Sequence, residues 1–411
     1  MTISIDNGNN IEIVSPAGNL EKLKIAVRFG ADAVYFGGKR FNLRNNTGNL
    51  SLQEIEEALT FCKTHRARTI FLLNSFLHEG EIREAEGYIE EIKDFKFDAF
   101  VVSDPGMFVL LKEKGIDSNI HLSTQFSILN HLSIKFWNSL GINRIILARE
   151  TTLDEIKSIR EHTDAEIEIF VHGALCISYS GRCLLSRYLS GRDANQGNCS
   201  HPCRWNYALV EEKRNGNHMD IIEYASGTEI LSSKDLCLIE RLSDYISAGV
   251  NAFKIEGRMK SLYYTANTTR IYSHAVRVLT EGCINGNHMP FWLSELDLVS
   301  HRPYTDNLFN EFDDLEFSKV PYIRKALFLG YYLRQGKDKT EAFVKTFNPI
   351  YQGEEIEAIF PIQGDTVQDD KFHIREIIED EESVEMAQPG RECLIKFDKG
   401  INNDAVFRRR R

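Results

Sequence analysis

Over roughly the first three hundred positions, short apolar and β-branched runs alternate with stretches of helical period. Eight runs read as strands: IEIV (11–14), DAVYF (32–36), TIFLLN (69–74), DAFVV (98–102), NIHL (119–122), NRIIL (143–147), EIEIFV (166–171) and NAFKIE (251–256). Between them lie amphipathic segments such as NLEKLKIAVRFG, SLQEIEEALTFCKTH and TLDEIKSIREH, and Gly30, Gly115, Gly141 and Gly249 stand where such helices would end.

Parallel strands need helical crossovers, and eight of them close a cylinder that side chains can fill. The pattern therefore predicts an α/β fold, a (β/α)8 TIM-type barrel. An open doubly wound sheet is the alternative, but no glycine-rich dinucleotide fingerprint follows the first strand. From about residue 316 the pattern turns to short alternating runs, KALFLGYYL, EAFVKTF, EEIEAIFPI, KFHIREII and ECLIKF, separated by Gly and Asn turns. This predicts a barrel domain over 1–315 and a small C-terminal β-barrel domain over 316–411.

A barrel carries its chemistry on the loops after its strands. Those positions hold Ser15, Tyr35, Asn74, Ser103, Asp104, Ser123, Gln125, Arg149, Glu150, His172, Glu256 and Arg258. Ser103, Asp104 and Ser123 fit ordinary helix caps, whereas Gln125, Arg149 and Arg258 do not. Lys254 and Glu256 alternate on the last strand, which predicts an ion pair on one face. His172, at a strand end, is a candidate general acid or base, or a structural cap.

The connection after the seventh strand is the longest in the barrel and holds four of the eight cysteines. Cys176 and Cys183 are separated by six residues, Cys183 and Cys199 by fifteen, and Cys199 and Cys203 by three. Their neighbours are polar, so packing alone does not account for them. Four thiolates on one loop, 172–237, can hold a tetrahedral zinc or an iron–sulfur cluster. A loop over a barrel with its own core has less need of a structural zinc. Cys237, beside Leu236 and Ile239, reads as lying on an apolar helix face and is the rival fourth ligand.

The chain has 411 residues, 42% hydrophobic and 10% aromatic, enough for a large core and a second domain. A net charge of −11 argues against coating nucleic acid through the overall field, though it leaves room for a local basic track. Arg182, Arg187, Arg192 and Arg204 punctuate the cysteine loop, and FRRRR (407–411) reads as a solvated tail or a phosphate contact. No run is long and apolar enough to span a membrane, and the amino-terminal residues lack a secretory pattern, so a cytoplasmic protein is expected. In that compartment clustered cysteines favour metal or redox roles over disulfides.

The stretches EIEIFVHGALCISYSGRCLLSRYL, NCSHPCRW, SSKDL and KIEGRMKSLYYTA resemble the collagenase-like peptidase family (peptidase family U), and within it the branch of prephenate-dependent tRNA uridine hydroxylases. VSPAGNLEKLKIAVRFGADAVYFGG, VVSDPG, IHLSTQ and RIILARE extend the likeness over roughly residues 11–310. The resemblance implies an iron–sulfur cluster, of the 4Fe-4S type, on Cys176, Cys183, Cys199 and Cys203. It also implies 5-hydroxylation of the wobble uridine, giving 5-hydroxyuridine, with tRNA as partner and prephenate as co-substrate. Related quinone hydroxylases use a later cysteine, which keeps Cys237 in contention.

A small dianionic acid needs fixed cations, and Arg149, Arg258 and Arg182 are candidates. A flipped base needs stacking partners, for which Tyr35, Tyr179 and Trp205 serve, while Gln125 and Asn74 are candidate polar contacts. His172 and Glu256 are the candidate catalytic groups. The competing functions are ribosomal RNA or quinone-precursor hydroxylation, a non-catalytic iron–sulfur maturation factor, and a peptidase. A cysteine peptidase would need a thiolate activated by histidine, and four grouped thiols are prone to bind metal or oxidise. No HExxH motif is present.

Overall fold

The computed structural model describes residues 11–44, 48–116, 118–176, 178–204, 222–224, 227–229, 234–306 and 322–411. Strand and helix alternate from the start: β1 (Glu12–Pro16), α1 (Leu20–Arg28), β2 (Ala33–Phe36), α2 (Leu52–His65), β3 (Arg68–Leu73), α3 (Ile82–Ile92), β4 (Ala99–Val102), α4 (Pro105–Glu113), β5 (Asn119–Leu122), α5 (His131–Ser139), β6 (Arg144–Ile146), α6 (Leu153–Arg160) and β7 (Glu166–Ala174). The helices start where the sequence supplies caps. Ser51 and Glu54 form a capping box on α2, as Thr152 and Glu155 do on α6, and Asp104 accepts two amide N–H bonds at the start of α4.

The cysteine loop carries α7 (Leu185–Ser190), and two short antiparallel strands follow, β8 (Ile222–Tyr224) and β9 (Gly227–Glu229). Then come β10 (Asp235–Cys237), α8 (Leu242–Ser247), β11 (Ala252–Ile255), α9 (Leu262–Thr280), α10 (His288–Leu296) and β12 (Tyr304–Thr305). β1 to β7 pair in parallel in chain order, and β11 pairs in parallel with both β1 and β7. The eight predicted strands thus close the barrel.

Alternation along the strands sorts the side chains. Val14, Tyr35, Ile70, Leu72, Val101 and Ile146 fill the cylinder, while Val34, Phe36, Phe71, Phe100, Ile145 and Phe253 face the helices. The cylinder also encloses charge. Lys254 Nζ lies 2.6 Å from Glu168, and Arg144 reaches Glu12, Glu166 and Glu168. The ion pair expected between Lys254 and Glu256 is therefore made with Glu168 instead, because Glu256 lies beyond the end of β11, where the chain leaves the cylinder.

Cys237 lies on a strand, not on the expected helix. β10 runs antiparallel along the end of β7, pairing Leu236 with Gly173 and Cys237 with His172, and β12 pairs with β10. Three consecutive buried or half-buried residues suit a short strand as well as one helix face, and sheet pairing decides between them.

The C-terminal elements are β13 (Ala326–Gln335), β14 (Glu341–Thr346), β15 (Ile350–Tyr351), β16 (Glu355–Ile359), β17 (Asp370–Glu379), β18 (Glu382–Val384), β19 (Met386–Ala387), β20 (Glu392–Phe397) and β21 (Val406–Arg410). They form an antiparallel sheet in the order β16-β21-β13-β14-β20-β17, with β16 also pairing with β17, so the sheet closes on itself. The expected domain boundary at 315/316 lies outside the described residues.

The arginine run is not a loose tail: Arg408, Arg409 and Arg410 belong to β21. Arg408 is 1% exposed, donates to both oxygens of Glu295 on α10 at 2.6 and 2.9 Å, and also binds Glu357 and Tyr263. Arg270 on α9 shares Glu295 and reaches Asp369. Together with Phe328, Tyr331, Ile359 and Val406, which join the barrel's core cluster, this network fastens the β domain to the barrel.

Candidate functional site: a cationic pocket beneath a cysteine loop

A pocket opens at the C-terminal end of the barrel strands, holding about 540 Å³ of empty space counted to its open mouth. Tyr35, Asn74, Gln125, Arg149, Glu256 and Arg258 line it, which brings together six of the eight predicted substrate and catalytic residues. Lys254 and Arg44 line it as well. Arg44 was missed. Its signal lay in the long connection from β2 to α2, which places basic residues at a strand's C-terminal end.

The pocket is cationic, with four basic side chains against one carboxylate. Lys254 is neutralised by Glu168, and Arg44 lies 3.4 Å from Glu256. Arg149 and Arg258 have no carboxylate partner among the described residues. The Arg149 guanidinium lies 4.1 Å from the Phe170 ring centroid, which orients it without cancelling its charge. Arg258 is 3% exposed and donates to the side-chain oxygens of Asn42, at 3.2 Å, and Asn49. Burial pushes its pKa down to about 10, so it stays charged at neutral pH, and its Nε has no partner. Two guanidinium groups held by neutral neighbours suit a small anion with carboxylates.

Tyr35 and Phe170 supply aromatic walls. The Tyr35 hydroxyl donates to the Ile255 carbonyl at 2.9 Å, and burial pushes its pKa far up, so it is a wall rather than an acid. Gln125 accepts from Ser103 Oγ at 2.6 Å, and Asn74 accepts from the Leu43 amide. Glycine lets the rim close tightly: at Gly257, with φ 157°, a Cβ would stand 2.4 Å from the Tyr264 ring.

His172 is not brought to the pocket. Strand alternation would point it inward with Glu168 and Phe170, but the β7–β11 register shifts between Lys254 and Ile255, a bulge that turns His172 toward the helices. Its ring packs among Tyr264, Tyr272 and Tyr304, and Nδ1 lies 3.2 Å from the Tyr272 hydroxyl. Burial pushes its pKa down to about 3, so it is a neutral packing group. Of the two predicted catalytic groups, only Glu256 is at the pocket.

The cysteine loop is fastened to the rim. Glu150 accepts from the Ser180 amide and hydroxyl, both at 2.7 Å, and Arg182 Nε donates to the Gln125 carbonyl at 2.5 Å. Arg182 thus acts as a staple from the loop to a pocket residue rather than lining the pocket itself. The Phe76 amide donates to the Asn195 carbonyl, and Gln196 reaches Glu81. Tyr179 is exposed on this loop, and Trp205 lies outside the described residues.

Of the four cysteines of the loop, Cys183 is buried, and Cys176, Cys199 and Cys203 are half-buried. The His201 amide donates to Cys199 Sγ at 3.4 Å. Among the described residues no three cysteine sulfurs come mutually within 4.8 Å. A single tetrahedral zinc would hold thiolates about 3.8 Å apart, from Zn–S bonds near 2.3 Å. Four thiols are a donor set that a zinc ion or an iron–sulfur cluster would accept. The Cys237 Sγ lies 3.7 Å from the Tyr272 hydroxyl, and burial pushes its pKa up to about 11.

Fold and site together define a (β/α)8-barrel protein with a cationic pocket at the strand C-termini and a thiol-rich loop fastened at its rim. Residues 18–317 match Peptidase family U32, and the chain belongs to that family. It is 34% identical over 99% of its length to a tRNA hydroxylation protein P1 of Bacillus subtilis (strain 168), covering 97% of that relative. It is 35% identical to a 23S rRNA 5-hydroxycytidine synthase of Escherichia coli (strain K12), over 78% of this chain and 49% of that one. A protein named collagenase from Porphyromonas gingivalis is 27% identical over 98% of each chain. A solved U32 peptidase superposes with a TM-score of 0.40 at 14% identity, over 61% of this chain and 95% of that one. Among the described residues no helix is long and apolar enough to cross a membrane.

Proposed function

We propose that this chain is an RNA hydroxylase that converts the wobble uridine of tRNA to 5-hydroxyuridine in a prephenate-dependent reaction. The observation that carries the proposal is the placement of two unpaired guanidinium groups, Arg149 and Arg258, in an aromatic-walled pocket stapled to a four-cysteine loop. The 34% identity to a tRNA hydroxylation protein over nearly the whole of both chains supports the same reading.

Cys176, Cys183, Cys199 and Cys203 would hold the iron–sulfur cluster, which when bound supplies one-electron chemistry beside the pocket. The chain's own residues do the rest. Arg149 and Arg258 bind the carboxylates of prephenate, and Tyr35 and Phe170 flank a flat ring. Gln125 and Asn74 offer amide contacts to base edges, and Glu256, half-buried in the pocket lining, would accept a proton.

A peptidase mechanism has weaker support. The histidine required to activate Cys176 would be His172, whose ring is turned into the tyrosine layer and held neutral. The test compares nucleosides from the parent strain and a strain lacking this protein. Loss of 5-hydroxyuridine and its derivatives from tRNA is expected. Unchanged tRNA with altered ribosomal RNA would move the substrate to the ribosome.

A further inference from the structure

The cysteine loop has two faces, and only one is accounted for. Its inner face is bonded to the barrel through Ser180, Arg182, Asn195 and Gln196. Its outer face presents Tyr188 at 85% exposure, Leu184 at 74% and Tyr179 at 47%. A cluster of apolar and aromatic side chains so exposed marks a surface that something covers.

Charge says what kind of partner it suits. On that face the described side chains of Arg187 and Arg192 stand against one aspartate, Asp193, in a chain whose net charge is −11. Arg187 lies 3.1 Å from Asp193 yet keeps 62% of its side chain exposed, and Arg192 Nε donates to Asn198. Exposed tyrosines interleaved with arginines are the combination that holds unstacked bases and their phosphates, and it gives an acidic chain the local basic track that RNA needs.

We propose that this outer face, with Tyr188 and Tyr179 as stacking platforms and Arg187 and Arg192 as phosphate contacts, docks the single-stranded RNA flanking the nucleotide that enters the pocket. The inference rests on the RNA reading above and extends it to a surface. The staple from Arg182 to Gln125 fixes the loop at the pocket rim, so a strand lying on the loop has the pocket beside it.

The test uses the full chain, an anticodon stem-loop RNA and a blunt duplex, with binding measured by fluorescence anisotropy over a salt series. Tyr188→Ala should weaken stem-loop binding about tenfold, while Tyr188→Trp should stay near the wild type, because stacking requires an aromatic face rather than a hydroxyl. Arg192→Ala should lower the slope of log K against log salt by about 0.7. Iron content and melting temperature of each variant separate loss of a contact from loss of the loop. Stem-loop binding by the wild type and Tyr188→Ala alike would overturn the docking face and leave the RNA reading standing. No RNA binding by the wild type would overturn both. Self-association abolished by Tyr188→Ala, with RNA binding unchanged, would reassign the face to contact between copies of this chain.

Discussion

Glu150 holds Ser180 with both carboxylate oxygens, one 2.7 Å from the amide nitrogen and the other 2.7 Å from the hydroxyl. Ser180 sits in left-handed backbone at φ 47°, and Glu150 is 9% exposed, so the barrel rim fixes an otherwise unfavourable turn between Cys176 and Cys183. Sequence separates the two residues by thirty positions. Glu150→Ala leaves the Ser180 groups without partners, at a cost of about 1–3 kcal/mol. The buried Cys183 thiol of the cluster-free protein should then alkylate faster than in the wild type, and iron loading should fall. Alkylation at the wild-type rate would mean that the turn holds itself.

The ligand set can be read from iron content. Cys183→Ser should abolish anaerobic iron and sulfide loading, whereas Cys237→Ser should load like the wild type, because Cys237 is engaged with Tyr272. Iron lost in Cys237→Ser would return that residue to the ligand set.

Prephenate binding should depend on both unpaired guanidinium groups. Arg149→Ala and Arg258→Ala should each weaken it about ten- to a hundredfold by calorimetry, the range of a charge-assisted pair. Arg258→Lys should not restore it, since Asn42 and Asn49 hold a fork that an ammonium group cannot reproduce. Unchanged binding in both alanine variants would remove the clamp.

Acid should destabilise the protein through two groups. Salt bridges to Arg408 and Arg270 hold the Glu295 carboxyl below its ordinary value despite burial, so its contribution is complete above about pH 4.5 and is lost as pH falls through the depressed value. His172, held neutral down to about pH 3, contributes stability above the ordinary histidine value near 6.5 and loses it as pH falls below that. Each group adds at most about 1.4 kcal/mol per pH unit. His172→Phe should flatten the fall between pH 6.5 and 5. Glu295→Ala should cost about 3–5 kcal/mol at neutral pH by leaving Arg408 and Arg270 unbalanced, seen as a lower melting temperature. A pH profile identical to the wild type in His172→Phe would contradict the histidine assignment.

Much of the barrel was legible because its strands carry period-two and apolar signals that helices between them do not share. Tyr35, Asn74, Gln125, Arg149, Glu256 and Arg258 converge because each follows a strand, and topology alone sends those ends to one mouth. What stayed hidden depended on pairing. A bulge opposite Ile255 turned His172 out of the cylinder, and pairing with β7 made Cys237 part of a strand. The terminal arginines read as a solvated tail or a phosphate contact because nothing near them in sequence points to Glu295, more than a hundred residues earlier, which lies beside Arg408. Spacing cannot announce a partner that far away.

The central claim is best tested by nucleoside mass spectrometry of bulk tRNA from a strain lacking this protein, complemented with the wild type, Cys183→Ala or Arg149→Ala. The account predicts that 5-hydroxyuridine and its derivatives disappear in the deletion, return with the wild type, and stay absent with Cys183→Ala and strongly reduced with Arg149→Ala. Full restoration by Cys183→Ala, or tRNA unchanged by the deletion, would contradict it.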